Sequence, residues 1–320
     1  MRKVEDINSS ELPQNTRIHI AENYGFNSIN MVRRITRGLI NRSFIIVADQ
    51  SEYVVTVFQN KTHQQVEKIV SVMNSLSGIP IAKPLCGEKF FIEIDEKPAI
   101  ICPFVEGIHA VEEDHSVKSS LPGNTHEAIS RLFWEMHTQL KAMQDDKGLL
   151  PLKTMTMAEE IAEDIRSSNP SIASDKTLQR LIDICIDGAG PVTSNEDPQI
   201  VHSDFERQNI LLDTQWLVKA ILDFDALKRG DLMYEFAHTF HNFVCCDPSP
   251  NADDADIYME DLCKITTYDE ETIYRLICLF CLEDIRGFIE VADNEKEIKL
   301  LSIIKHYISS LNFAREYLQP

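Results

Sequence analysis

Hydrophobic and polar positions alternate through the first third of the chain and then change period. From residue 31 the segments "MVRRIT", "SFIIVA" and "YVVTVF" carry alternating and β-branched residues, which predicts three strands with a polar turn at Asp49 to Glu52. In "THQQVEKIVSVMNSLSG" the apolar residues Val66, Ile69, Val70, Met73 and Leu76 recur at helical spacing. Gly78 and Pro80 close that helix. Two more strands, "KFFIEI" and "PAIICPFV", join through the turn "DEKP" and end at Glu106 and Gly107.

Beyond Gly107 the period becomes helical. The stretch "NTHEAISRLFWEMHTQLKAM" opens with an Asn/Thr start signal and spaces Ile129, Leu132, Phe133, Met136 and Leu140 along one face. Helices are also predicted within 157 to 168, at 176 to 187, and in three segments from 232 to the end. A strand pair at 210 to 213 and 217 to 222, turning at "DTQ", interrupts them. The pattern predicts an α+β chain of two lobes: a small antiparallel sheet with one long helix over residues 1–106, and a larger, mainly helical lobe over 107–320. No internal repeat or low-complexity segment breaks this order.

Charge sharpens the same division. The 320 residues carry a net charge of −20. Residues 1–106 hold 12 basic and 12 acidic side chains, and the remainder holds 19 against 39. Such a balance argues against a nucleic-acid partner, which needs clustered Lys and Arg. The acidic half would attract cations. The opening "MRKVEDINSSELPQ" lacks the apolar core of a secretory signal, and the longest apolar run, "LICLFCL", is too short to span a bilayer. A soluble, cytoplasmic chain is therefore expected, with its eight cysteines reduced. Cys278 and Cys281 form a lone C-x-x-C inside an apolar helical run, which favours a core role.

The chemistry concentrates in "VHSDFERQNILLD" and "ILDFDAL". Phosphoryl transfer needs a carboxylate to orient an attacking hydroxyl and take its proton, and oxygen ligands to hold Mg²⁺ across the phosphates. Asp204 and Asn209 have the Asp-x-x-x-x-Asn spacing of a kinase catalytic loop, with His202 two residues earlier. Asp223 follows a hairpin strand where a second metal-binding acid belongs. An Asp-to-Asn spacing alone arises easily by chance, but its combination with a hairpin of the right length and a following Ile-Leu-Asp-Phe, after a five-stranded lobe, favours a phosphate-handling site over turn caps. His202 fits a role propping the loop rather than one in chemistry.

At these residues the chain resembles the small-molecule kinases with a protein-kinase-like fold, which include aminoglycoside phosphotransferases, choline kinases and type II homoserine kinases. The stretches "GLINRSFIIVADQSEYVVTVFQNKT", "KPAIICPFVEG" and "FWEMHTQL" look most similar to homoserine kinase. The resemblance implies Asp204 as catalytic base and Asn209 and Asp223 as Mg²⁺ ligands. It implies an ATP site in which Cys102, Phe104 and Val105 belong to the connector beside adenine, and the segment around Gly38, Arg42 and Ser43 covers the phosphates. Thr56 stands where a typical kinase strand has its phosphate-binding Lys, and Glu67 where its ion-pairing Glu is found. Candidate partners for Glu67 are Lys68, Arg33 and Arg34. Asp231 and Glu235 match the acids that brace the catalytic loop, although an Asp is more usual at the second.

The resemblance implies a phosphotransferase acting on an alcohol group of a small, amine-bearing molecule, with homoserine as the leading acceptor. An aminoglycoside or amino-alcohol acceptor is the alternative, and a nucleotide-binding pseudokinase the non-enzyme one. A carboxylate-bearing acceptor needs a basic residue, for which Arg229 and Arg286 are candidates. A polycation needs acids, which the run 247 to 261 could supply if it rims a cleft and is not a solvated loop. Asp225 could add a metal or substrate contact. His238, His241, Cys245 and Cys246 lie close in sequence, but their spacing does not match a zinc finger, and core packing or substrate-pocket lining is the favoured role.

Overall fold

The computed structural model describes residues 4–5, 12–35, 41–87, 91–109, 120–143, 149, 158–168, 175–188, 198–247, 249–265, 270–290 and 297–318. Its contacts group the chain into two compact units. One comprises 1–116, 135–150 and 208–227, and the other 117–134, 151–207 and 228–320.

The first unit is built on a six-stranded antiparallel sheet of order β1-β2-β3-β4-β6-β5. Its strands are β1 (Val4–Glu5), β2 (Ile29–Ile35), β3 (Arg42–Ala48), β4 (Ser51–Val57), β5 (Ile92–Ile94) and β6 (Lys97–Pro103). Alternation sends Phe44, Ile46, Val55, Val57, Ile92, Ile94 and Ile101 into one core with Leu12 and Ile20. The two tight hairpins each turn on a pair of left-handed residues, Asp49 and Gln50 (φ 48° and 69°) and Asp95 and Glu96 (φ 52° and 62°). Their backbone twist matches that of the flanking strands.

The long helix α2 (His63–Ser75) follows β4. Thr62 and Gln65 form a reciprocal capping box at its start, and Val66, Ile69, Val70, Val72 and Met73 are buried along one face. An earlier helix, α1 (Gln14–Tyr24), was not anticipated. Only Ile20 of its side chains is fully buried, so no apolar stripe announces it. A second sheet of order β10-β9-β7 comprises β7 (Ile108–His109), β9 (Ile210–Leu212) and β10 (Val218–Ile221). A Cβ at Gly107 would come within 3.0 Å of the Leu211 Cβ, so this connector residue needs glycine for its close approach to β9.

In the second unit the helices α4 (Ala158–Ser168), α5 (Lys176–Gly188) and α6 (Leu232–Phe240) pack with α8 (Glu270–Glu290), which also contacts α9 (Glu297–Leu318). The first turns of α3 (Gly123–Ala142) belong here, and residues from Glu135 group with the first unit. The short strands β8 (Gln199–Val201) and β11 (Lys228–Gly230) pair antiparallel. Cys278 and Cys281 are buried thiols inside α8. The acidic run contains a helix, α7 (Ala252–Ile265), rather than a loop. Several of its acids are internally engaged: Asp254 lies 3.7 Å from the His126 Nε2, and Asp256 accepts from the Tyr317 hydroxyl at 2.6 Å. The predicted α+β class holds: an antiparallel-sheet N-terminal region with one long helix, followed by a mainly helical C-terminal region. Among the described residues no helix is long and apolar enough to cross a membrane.

Candidate active site

Asp204 lies just beyond β8, in a segment tied down by buried side chains of its own unit. Ser203 takes the left-handed conformation (φ 59°), and its N–H donates to the Glu235 Oε1 at 2.8 Å. Glu235 projects from α6, whose N-cap Asp231 accepts from the Met233 N–H at 2.8 Å. Burial, helped by the charge of Asp204, pushes the Glu235 carboxyl up to about 8 against hydrogen bonds from the Ser203 and His202 backbones and the charge of Lys228. His202 is buried with its ring edge-on to Phe205. The Phe205 carbonyl accepts from the Thr239 hydroxyl at 3.1 Å, and its ring packs against Phe133 and Phe243. Asp204 itself is half-buried.

The strongest tether comes from a residue that no sequence motif singled out. Arg207 is 1% exposed, the largest of the fully buried side chains. Its guanidinium donates to the Asn242 carbonyl at 2.8 Å, to the Phe243 carbonyl at 2.7 Å and to the Asp247 Oδ2 at 2.8 Å. Asn242 and Phe243 belong to a π-turn, His241–Cys245, that continues α6, in which the Cys246 N–H reaches back five residues to the His241 carbonyl at 2.9 Å. Carbonyls at such a helix end lack intrahelical donors, and Arg207 satisfies two of them with positive charge at the negative end of the dipole. Burial raises the Asp247 carboxyl, but hydrogen bonds from Ser120, Ser249 and Arg207 outweigh it and hold its pKa below the ordinary value.

Asn209 and Asp223 belong to the other unit, where the hairpin β9–β10 brings them to one end. Ile210 pairs with Ile221, and the Leu222 N–H donates to the Asn209 carbonyl at 2.8 Å. The hairpin is fixed to the sheet-bearing unit by the Ile221 N–H, which donates to the Pro80 carbonyl at 2.7 Å. Asn209 is buried, and His109 donates from Nδ1 to the carbonyl of the preceding Gln208 at 2.7 Å. Asp223 is exposed and left-handed (φ 65°, ψ 47°), a conformation that Asp tolerates better than most residues, and it opens a 3₁₀ turn at Phe224–Ala226. Asp225 accepts a hydrogen bond from the Asn41 amide, and the Asn41 Oδ1 accepts from the Gln59 N–H at 3.3 Å. Asp225 therefore ties the segment after β10 to the start of β3.

The residues assigned to the nucleotide fall at several places in this unit. Gly38 lies outside the described residues. Ser43 and Thr56 are register partners on β3 and β4, and Thr56 also pairs with Ile100 on β6. Arg42 donates to the Asp95 carboxylate at 2.7 Å. Glu67 is exposed on α2, and Arg33, one of its candidate partners, pairs with Glu52. On the connector, the Phe104 N–H donates to the Glu52 carbonyl at 3.0 Å, and burial raises the Cys102 thiol to about 12, so it is neutral at pH 7. Of the two candidate arginines for a carboxylate, Arg286 lies 3.7 Å from Asp164, and Arg229 is exposed. Among the described residues no group of three His, Cys, Asp or Glu side chains is placed to hold a metal by itself. Asn209 and Asp223 supply hard oxygen donors suited to Mg²⁺, a cation that completes its shell with phosphate and water.

The antiparallel-sheet N-terminal region and the mainly helical C-terminal region have a protein-kinase-like fold. The family model "Phosphotransferase enzyme family" matches residues 32–270, and the chain belongs to that family. A homoserine kinase of Burkholderia mallei is 32% identical over 88 residues, and the match spans 26% of this chain and 27% of that protein. Among solved structures, the spectinomycin phosphotransferase APH(9)-Ia, in complex with ADP and spectinomycin, superposes with a TM-score of 0.70 at 14% identity, covering 95% of this chain and 98% of that one. A mutant of an aminoglycoside 2′-phosphotransferase in complex with GDP gives 0.63 at 15% identity over 93% and 98%. Those likenesses establish the fold.

Proposed function

We propose that this chain is an ATP- and Mg²⁺-dependent kinase that phosphorylates a hydroxyl of a small, amine-bearing acceptor in the cytoplasm, with homoserine the leading acceptor. The observation that carries this is the retention of Asp204, Asn209 and Asp223 within the family span, the first in a braced loop and the other two at one end of a hairpin. Asp204 accepts the proton of the acceptor hydroxyl and aims its oxygen at the γ-phosphate. Half-burial limits competing water there, and the Ser203–Glu235 bond fixes the backbone from which Asp204 projects. Asn209 and Asp223 hold the metal, which when bound neutralises phosphate charge. Residues 1–106 bind the nucleotide through the connector Cys102, Phe104 and Val105 and through the segment at Gly38, Arg42 and Ser43, with Thr56 in place of the usual Lys. Residues 107–320 bind the acceptor.

Homoserine is favoured by the local similarity to a homoserine kinase. In the acidic run Asp247 and Asp254 serve internal partners, whereas Asp253, Asp256 and Glu260 are exposed. Arg229 and Arg286 are the candidates for the acceptor carboxylate. ADP release from Mg-ATP with homoserine, choline, ethanolamine, hydroxylysine, a hexosamine and two aminoglycosides tests the assignment, with Asp204→Ala as the blank. Turnover with homoserine alone is expected, and Asp204→Ala should lower it by about 10²- to 10⁴-fold with an unchanged circular dichroism spectrum. Turnover confined to the aminoglycosides would replace the acceptor, and full turnover by Asp204→Ala would remove the base.

A further inference from the structure

Outside the residues used above, the second unit contains a compact group of titratable side chains around the π-turn. The Cys246 Sγ lies 3.4 Å from the Nε2 of His241, at the start of the same turn. From α9, the Nε2 of His306 donates to the Cys246 carbonyl at 3.1 Å. From α8, Asp284 lies 3.7 Å from the His241 Nε2 and accepts from the Tyr307 hydroxyl at 2.7 Å. The His241 ring is buried and lies near-parallel to the rings of Phe280 and Tyr307, at centroid distances of 6.3 and 5.8 Å. Cys245, His238 and Cys281 complete the surroundings.

We infer that Cys246 is a modification site: a thiolate held against the His241 imidazolium and reactive toward small peroxides. Both ring partners favour the charged sulfur. Burial alone would keep the thiol protonated, yet the two histidines outweigh it and bring Cys246 down to about 6. Burial also disfavours a charged His241, and its sulfur and carboxylate neighbours still raise its pKa well above the ordinary value. The adjacent thiols behave oppositely, with burial raising Cys245 and raising Cys281 well above the ordinary value. Cys246 is also only partly buried, whereas Cys245 and Cys281 are fully so.

In the reaction the Cys246 thiolate attacks one oxygen of hydrogen peroxide. The S–O bond forms as the O–O bond breaks, the sulfur loses two electrons to the peroxide, and the leaving hydroxide takes the proton of the His241 imidazolium. The products are a sulfenic acid, water and neutral His241. Cys246 is bonded directly to Asp247, the partner of Arg207. On the kinase assignment above, oxidation therefore reaches the segment that carries Asp204.

The test uses the full chain and reads each cysteine separately by peptide mass spectrometry. Iodoacetamide labelling from pH 5 to 10 should reach half its plateau near pH 6 at Cys246, against about 8.5 for an ordinary thiol. At pH 6, dimedone capture after hydrogen peroxide should run about tenfold faster at Cys246 than at the exposed Cys86 and Cys263, the gain in thiolate being partly offset by weaker intrinsic nucleophilicity. His241→Gln should move the Cys246 midpoint up by one or more pH units. Should that variant fail to fold, His306→Gln should move it in the same direction by less. A Cys246 midpoint at or above the ordinary thiol range, or faster capture at Cys86 and Cys263, overturns the site. Labelling does not depend on turnover, so selective capture without phosphotransfer to any acceptor keeps the site and rejects the kinase assignment. Peroxide should also lower ADP release reversibly, with dithiothreitol restoring it. Equal loss in Cys246→Ser would overturn the link to the loop.

Discussion

The segment that presents Asp204 and the hairpin that presents Asn209 and Asp223 adjoin in sequence but are fixed by different physics. Residues 202–207 are held by polar side chains: Glu235 on the Ser203 N–H, Thr239 on the Phe205 carbonyl, and the Arg207–Asp247 pair. The hairpin is held by main-chain hydrogen bonds, through the β9–β10 ladder, the Leu222 N–H and the Ile221 N–H. Main-chain bonds survive most substitutions and have no pKa near neutrality. Buried side-chain tethers fail one residue at a time and respond to pH.

The sharpest way to break the first arrangement is Asp247→Asn. It leaves the buried Arg207 charge uncompensated and should lower stability by about 3–5 kcal/mol, read from urea unfolding midpoints at constant slope. A loss below 1 kcal/mol would mean that the pair does not anchor the segment. On the hairpin, Asp223→Asn should do the reverse. Asn tolerates the left-handed backbone, so stability should stay within about 0.5 kcal/mol, while turnover falls on the order of 100-fold from the lost metal ligand. An unfolded Asp223→Asn protein would refute the distinction.

Smaller effects sharpen it. Folding raises the Glu235 pKa, so between the unfolded value near 4.3 and about 8 the folded state keeps a proton that the unfolded state has released. Stability should therefore fall as pH rises through that window, by at most about 1.4 kcal/mol per pH unit. Glu235→Gln keeps an acceptor for the Ser203 N–H and should flatten this slope, which thermal melts at pH 5, 6, 7 and 8 would reveal. An identical slope in the variant would assign the pH dependence elsewhere. Least affected should be Asn41→Ala, which removes the bond to Asp225. A loss of about 0.5–1.5 kcal/mol is expected, with a few-fold rise in KM for ATP at unchanged kcat. A fall in kcat at unchanged KM would instead give Asp225 a part in the chemistry.

The two regions were also unequally legible in the sequence. Strands β3, β4 and β6 and helices α2 and α3 showed through period, because each buries apolar residues along one face, and β2 showed through its β-branched residues although only Ile35 of it is fully buried. The hairpin and the positions of Asn209 and Asp223 at its ends were equally plain, since spacing and a turn specify them. The short strands β7, β8 and β11 have two or three residues, too few for a period to register. The helix in the acidic run was hidden by its charge, which suggested a solvated loop where Asp254 lies beside the buried His126 and Asp256, though exposed, accepts from Tyr317. Arg207 was invisible for a stronger reason. A charged side chain becomes a buried anchor only through an acid 40 residues away and two carbonyls at an irregular helix end, and no local pattern encodes that meeting.

That irregular helix end restricts which alleles of this chain can be tolerated. Each residue advances an α-helix by about 100°, so deleting one position within 241–245 would restore regular winding and swing everything after it by that angle. The carbonyls and the carboxylate that seat Arg207 would then face elsewhere, even with every remaining side chain retained. Variation across the turn should therefore tolerate replacement best at the half-buried Asn242 and be intolerant of single-codon deletions, a bias that a library of one-residue indels would display as a gap in its map of functional clones.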